Sequence, residues 1–171
     1  MNMDVIAAIM TRRSIRAFKD EPLDEETIKT LVHAGMCAPS AHNTRPYHFV
    51  TVTAKDTKHA LMEKSLFGKM MDAAPLVMAV CGDKLLQPIH DFLYEDCSAA
   101  TENILLAAHG LGLGAVWIGV YSLTGWRKFI VQTLKLPENV IPIALIAIGH
   151  PNQTRTERDR FEDSKWHRDA W

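Results

Sequence analysis

Between Glu102 and Arg127 the chain carries no charged side chain, and so long an uncharged stretch has few places to go. A membrane span needs about 20 mostly apolar residues, which this run could supply by length alone. Its glycines argue against a single helix. Gly110, Gly112, Gly114, Gly119 and Gly125 each cost a helix interior about 1 kcal/mol relative to alanine, and His109 sits beside the first of them. The run therefore reads as a buried helix, a glycine turn and a buried strand. Gly110-Leu111-Gly112-Leu113-Gly114-Ala115 has the letters of the dinucleotide fingerprint G-x-G-x-x-G/A, but that fingerprint must follow a strand and open a helix. Here the order is reversed, so the glycines read as a helix stop and a turn.

The rest of the chain organises around that run. Val5, Ile6, Ile9 and Met10 are spaced for one face of an opening helix. Asp24 is placed as the N-cap of a second helix, with Leu23 and Ile28 as its hydrophobic staple and Gly35 as its expected end. Tyr47 to Val52 alternates and is rich in aromatic and β-branched residues, whereas Leu76 to Val80 is a continuous apolar run bounded by Pro75 and Gly82; both predict strands. The mixed-charge stretch from Asp56 to Ala74 predicts a helix, and Asp91 to Ala108 predicts the longest one. Ala115 to Tyr121 and Ile141 to Ile148 predict two more buried strands, with amphipathic Trp126, Phe129, Ile130 and Leu134 between them. Residues 151–171 are polar yet carry Phe161, Trp166 and Trp171, a composition that disordered tails rarely show. The tail is expected to pack on something, such as a second subunit.

Size and charge narrow the function. A chain of 171 residues is expected to form one domain with a real core. A net charge of −1 lacks the excess of Lys and Arg that binding a nucleic acid needs. Cys37, Cys81 and Cys97 are odd in number and have no zinc-like spacing, which points to a reducing compartment. The first residues lack a secretion signal, so the expected location is the cytoplasm. The serine-hydrolase, zinc-hydrolase and phosphate-loop motifs do not occur, no metal site is expected, and Cys97 reads as a small core residue. If the chain is an enzyme, a cofactor carries the chemistry.

Two segments suggest where. Arg12-Arg13-Ser14-Ile15-Arg16 gathers three guanidinium groups and a hydroxyl, a donor set that matches phosphate oxygens. Pro39-Ser40-Ala41-His42-Asn43, followed by Pro46-Tyr47-His48-Phe49, packs turn formers and small polar groups just before a strand. Each is ordinary alone, as a solvated helix end and a loop. Together they could hold both ends of a phosphorylated cofactor.

These segments, with Asp72-Ala73-Ala74-Pro75, Asp96-Cys97-Ser98-Ala99-Ala100, Gly110 to Gly119, and Pro137-Glu138-Asn139 through Gly149-His150-Pro151, resemble the flavin-dependent nitroreductase family along nearly the whole chain. The resemblance implies an α+β sandwich with a central mixed, mostly antiparallel sheet flanked by helices, spanning residues 1–171 as a single FMN-binding domain. It implies an intertwined homodimer in which residues 151–171 form an extension on the partner subunit. By that likeness Arg12, Arg13, Ser14 and Arg16 hold phosphate and ribityl oxygens, joined by Arg160 or, failing that, Arg158. Pro39, Ser40, His42 and Asn43 approach the flavin from the partner chain, Ile118 and Gly119 line its ring, and Lys69 sits by the pyrimidine edge. Gly119 would let the backbone come close to the ring, or it simply marks a bend at the strand end.

The resemblance implies an FMN-dependent oxidoreductase taking hydride from NADH or NADPH and reducing nitroaromatics, quinones or activated alkenes by a ping-pong mechanism. The alternatives are a flavin-linked dehalogenase, a flavin-cleaving relative, and a non-catalytic module binding FMN or another phosphorylated ligand. No nucleic acid or membrane partner is expected.

Overall fold

The computed structural model describes residues 3–120, 125–156 and 159–171. Helix α1 (Val5–Thr11) starts where the Asp4 carboxylate accepts from the amides of Ile6 and Ala7. Asp24 caps α2 (Glu25–Met36) in the same way, accepting from the Thr27 amide at 2.6 Å, as its position in the sequence predicts. Gly35 does not end α2, which runs on to Met36. An ideal Cβ on Gly35 would lie 2.8 Å from the Phe49 ring, so this glycine is where the helix meets its neighbours closely.

Strand β1 (Tyr47–Val52) follows. The helix expected over 56–74 is in fact α3 (Lys55–Lys64) and a separate 3₁₀ turn at Lys69–Met71. The break falls at residues 65–68, where Ser65 uses its hydroxyl to accept from the Phe67 amide at 3.4 Å; serine competes in this way with helical hydrogen bonding. Lys58 of α3 is buried and donates its ammonium to the Ala74 carbonyl, tying the helix to the start of β2 (Leu76–Asp83). Burial pushes that amine below the ordinary lysine range.

Helix α4 (His90–Gly110) leads through the glycine turn into β3 (Gly114–Gly119). Gly112, at φ +76°, lets the chain reverse there. Its amide donates to His109 and that of Leu113 to Ala108, the paired bonds that close a helix with a left-handed residue. Strand β3 is described as far as Gly119; Tyr121, to which the expected strand extended, lies outside the described residues. Helix α5 (Trp126–Thr133) and strand β4 (Val140–Gly149) complete the fold.

The sheet order is β1-β2-β4-β3, and all neighbouring strands are antiparallel. The parallel component is a single bridge between Ser14 and Ala115. Along β2, Leu76, Met78 and Val80 face a core shared with Leu93, Cys97, Ala100 and Ile104 of α4. Val77, Ala79 and Cys81 face the opposite core, with Leu61, Met71, Trp126 and Ile130. This period-two division explains the continuous apolar run, because helices cover both faces of the strand. The β2–β4 register shifts between Val80 and Cys81, opposite Pro142, where proline offers no amide to the ladder. No helix among the described residues is long and apolar enough to cross a membrane.

Residues 14–19 are clasped between β3 and the chain beyond β4. The Ile15 amide donates to Ala115, the Asn152 amide to Ala17, and the Lys19 amide to His150. Ile15 lies against Gly114, where an ideal Cβ would come 2.7 Å from the Ile15 Cβ itself. No rotamer change can relieve that contact, so Gly114→Ala should destabilise the protein by about 1–3 kcal/mol through overpacking. Urea unfolding of the variant, with an unchanged midpoint as the contrary result, tests this.

Candidate functional site

The three arginines of the first segment enter three environments. Arg12 stands at the end of α1, with its Nε 3.2 Å from the Glu102 carboxylate on α4. Arg13 turns back, and its Nη1 donates to the carbonyls of Met10 at 2.9 Å and Arg12 at 2.8 Å. A cation there meets the negative end of α1. Ser14 forms the bridge to Ala115, and the Arg16 amide donates to the Gln153 side chain. The Arg16 side chain reaches a cleft.

That cleft, of about 430 Å³, is lined by Arg16, Leu66, Phe67, Lys69, Met70, Val116, Trp117, Ile118 and Gly119. It brings together four residues expected from sequence: Arg16, Lys69, Ile118 and Gly119. Among the described residues neither Arg16 nor Lys69 pairs with a carboxylate. Two cations thus share a cleft whose other lining residues are apolar or glycine, with no carboxylate of the described residues paired to either, an arrangement that favours an anionic ligand with an apolar part. Among the described residues no histidine or carboxylate lines it, so these walls offer position and potential rather than a general acid titrating near neutral pH.

The other expected residues lie elsewhere on the same chain. Pro39 and Ser40 lead into a 3₁₀ turn, Ala41–Asn43, held against α4. There the Asp96 carboxylate accepts from the Ala41 amide at 2.8 Å, and the His42 ring meets Phe92 edge-on. Arg160 lies beside Arg13 in a second cleft, of about 560 Å³, formed with Ile9, Met10, Thr11, Asp159 and Phe161. Arg158 lies outside the described residues. The tail aromatics pack on one another, Phe161 on Trp166 and His167 on Trp171, yet Phe161, Trp166 and Trp171 stay exposed, as do Val5, Ile6, Ile9 and Met10 of α1.

Sequence reasoning did not single out Leu66, Phe67, Met70, Val116 or Trp117 as cleft residues, nor Glu102 and Asp96 as partners of the expected ligands. Leu66-Phe67 could have been noticed as an apolar pair between polar residues. Asp96 was visible as a carboxylate inside the apolar spacing of α4.

The sequence matches the family described as "Nitroreductase family" over residues 9–75 and 62–150. It is 43% identical over 99% of its length, and 88% of the relative's, to a Methanothermobacter thermautotrophicus protein called "Putative NADH dehydrogenase/NAD(P)H nitroreductase". It is 30% identical over 92% of its length, and 70% of the relative's, to the NAD(P)H FMN reductase of Bacillus subtilis. Its fold superposes on the FMN-dependent nitroreductase of Clostridium difficile R20291 with a TM-score of 0.90, at 28% identity, covering 97% of this chain and 99% of that one.

Cys97 is confirmed as a core residue. Burial pushes the thiols of Cys81 and Cys97 up to about 12, so neither forms a thiolate at neutral pH. In the native protein at pH 8 both should resist a thiol-labelling reagent, then react on unfolding. Labelling of Cys97 before unfolding, read by mass spectrometry, would contradict this.

Proposed function

The chain belongs to the nitroreductase family, and from that premise we propose that it is an FMN-dependent oxidoreductase drawing electrons from NADH or NADPH. The observation that carries the reading is the cleft in which Arg16 and Lys69, neither paired with a carboxylate among the described residues, face the apolar end of β3 at Ile118 and Gly119. Its residues fit the cofactor: cations for the anionic and electron-rich parts, apolar side chains for the ring, and a glycine that leaves the backbone approachable. Relatives named as FMN reductase and FMN-dependent nitroreductase support the same assignment.

When bound, the flavin would supply two-electron chemistry between NAD(P)H and a nitroaromatic, quinone or activated alkene, the two substrates using the cleft in ping-pong order. Arg12, Ser14 and Arg16 hold phosphate and ribityl oxygens, and Arg13 contributes by bracing that segment against the end of α1. Lys69 and Arg16 make the potential of the cleft positive, which favours a ligand gaining negative charge. Leu66 and Phe67 extend the apolar rim and exclude water from the face where both substrates would bind in turn.

A second copy of the chain completes the site. Pro39, Ser40, His42 and Asn43 reach the ring from that copy, residues 151–171 pack on it, and Arg160, which lies beside Arg13 in this chain, joins the phosphate contacts. The exposed apolar face of α1 and the exposed tail aromatics support such a homodimer, since surfaces of this kind are buried in obligate interfaces.

The visible spectrum of the purified protein, after loading with FMN and removal of excess, tests the reading. Retained flavin bands that bleach anaerobically with NADH or NADPH are expected. Retained bands that neither nucleotide bleaches would indicate a binding module instead. Replacing Arg12 and Arg16 with alanine should weaken FMN retention by about 1.5–3 kcal/mol for each lost charge-assisted bond, without unfolding the chain. Unchanged affinity, measured by flavin fluorescence, would refute their assignment.

A further inference from the structure

We infer that Asp96 is a positioning residue, whose carboxylate sets the geometry of the loop at residues 39–45 for ligand binding. The inference rests on the flavin reading above, which assigns Ser40, His42 and Asn43 to the ring. Asp96 is 5% exposed and lies on α4 beside Cys97, within the apolar run of Leu93, Ala100 and Ile104. An apolar side chain would be the less costly occupant of that position, because desolvating a carboxylate is unfavourable unless its oxygens are well satisfied. Here they are half satisfied. One oxygen accepts from the Ala41 amide at 2.8 Å, while Oδ2 is buried without a hydrogen-bond partner among the described residues. The Asp96–Ala41 bond spans 55 residues of sequence.

The loop requires such an anchor. His42, Asn43 and Arg45 stand at φ +53°, +56° and +45°, a left-handed conformation that each non-glycine residue enters at a cost. Within the loop, the Asn43 amide donates to the Ser40 carbonyl at 3.0 Å and the Thr44 amide to Ala41 at 3.2 Å. The Arg45 amide donates to the Ser40 hydroxyl at 2.9 Å. These bonds fix the loop's internal shape but not its place on the protein. At its start, the Tyr47 hydroxyl donates to the Ala38 carbonyl at 2.7 Å. From residue 39 to 45, the bond to Asp96 is the one hydrogen bond that ties the loop to the rest of the described chain. Ala41 opens the turn that carries His42 and Asn43, so a shift at this bond displaces both.

Three full-length variants test the role. Asp96→Ala removes the acceptor, whereas Asp96→Asn keeps an acceptor oxygen without the charge. Ala41→Pro breaks the contact from the loop's side: Ser40 is extended (φ −146°, ψ +151°), as the residue before a proline must be, while the ring takes the place of the amide hydrogen and pushes the Asp96 carboxylate away. Hydrogen exchange over residues 38–46 is measured without FMN, and FMN affinity and the bound-flavin spectrum are measured with it. Asp96→Ala should exchange faster over 38–46, lose about tenfold in affinity and shift the flavin band. Ala41→Pro should show the same loss, while Asp96→Asn stays within about threefold of the parent with a protected loop. Should Asp96→Ala fail to fold, the contrast between Ala41→Pro and Asp96→Asn decides. A loosened loop with parental affinity, or an Asn variant as impaired as the Ala variant despite a protected loop, would overturn the inference. A parent that binds no FMN would overturn the flavin reading instead, and exchange over 38–46 in Asp96→Ala would still decide whether Asp96 fixes the loop.

Discussion

Both halves of the candidate site depend on the pairing of β2 with β4. The middle of each strand is buried on both faces, so the pair cannot exist without helices on either side. Each fully buried Leu, Ile or Val contributes about 1.5–3 kcal/mol, and that gain holds α4 on one side of the sheet and α3 and α5 on the other. With the two central strands committed to packing, polar chemistry is left to the sheet's edges and the segments beside them. The arginine segment runs along β3 at one edge, and the turn at residues 41–43 precedes β1 at the other.

Charge is distributed by the same logic. Arg12, Arg13 and Arg16 are neighbours in sequence, yet one is matched by Glu102, one answers the carbonyls at the end of α1, and one faces the cleft. The backbone bonds of residues 14–19 to Ala115, His150 and Asn152 impose this separation by fixing the segment in an extended path. Lys69 arrives independently, from the 3₁₀ turn after α3. The positive potential of the cleft therefore belongs to the tertiary structure rather than to the basic cluster that the sequence displays.

Much of the architecture was legible beforehand, for identifiable reasons. Continuous apolar runs at 76–80 and 141–148 marked strands buried on both faces, and Asp24 marked a helix start through a local hydrogen bond. Local chemistry determines such features. Gly35 was misread as a helix end because its role is to admit Phe49 and Ile104, which are distant in sequence. The break after Lys64 was missed because it depends on a serine side chain competing for one amide. The convergence of Arg16, Lys69, Ile118 and Gly119 was expected by resemblance alone, since no spacing rule joins residues so far apart. Asp96 lies in a helical stretch of the sequence that names no partner for it, because a buried carboxylate meets a residue 55 positions away only when the chain is folded.

The left-handed residues His42, Asn43 and Arg45 bear on thermodynamics as well as shape. Backbone freedom that a residue loses on folding is not available to be lost again when a ligand arrives. On the flavin reading proposed above, confining these three moves an ordering cost from association to folding, where the large buried core can absorb it. Glycine in their place would relax the strained dihedrals, yet it would restore the very disorder that the loop had given up, so local stability and binding entropy would respond in opposite directions.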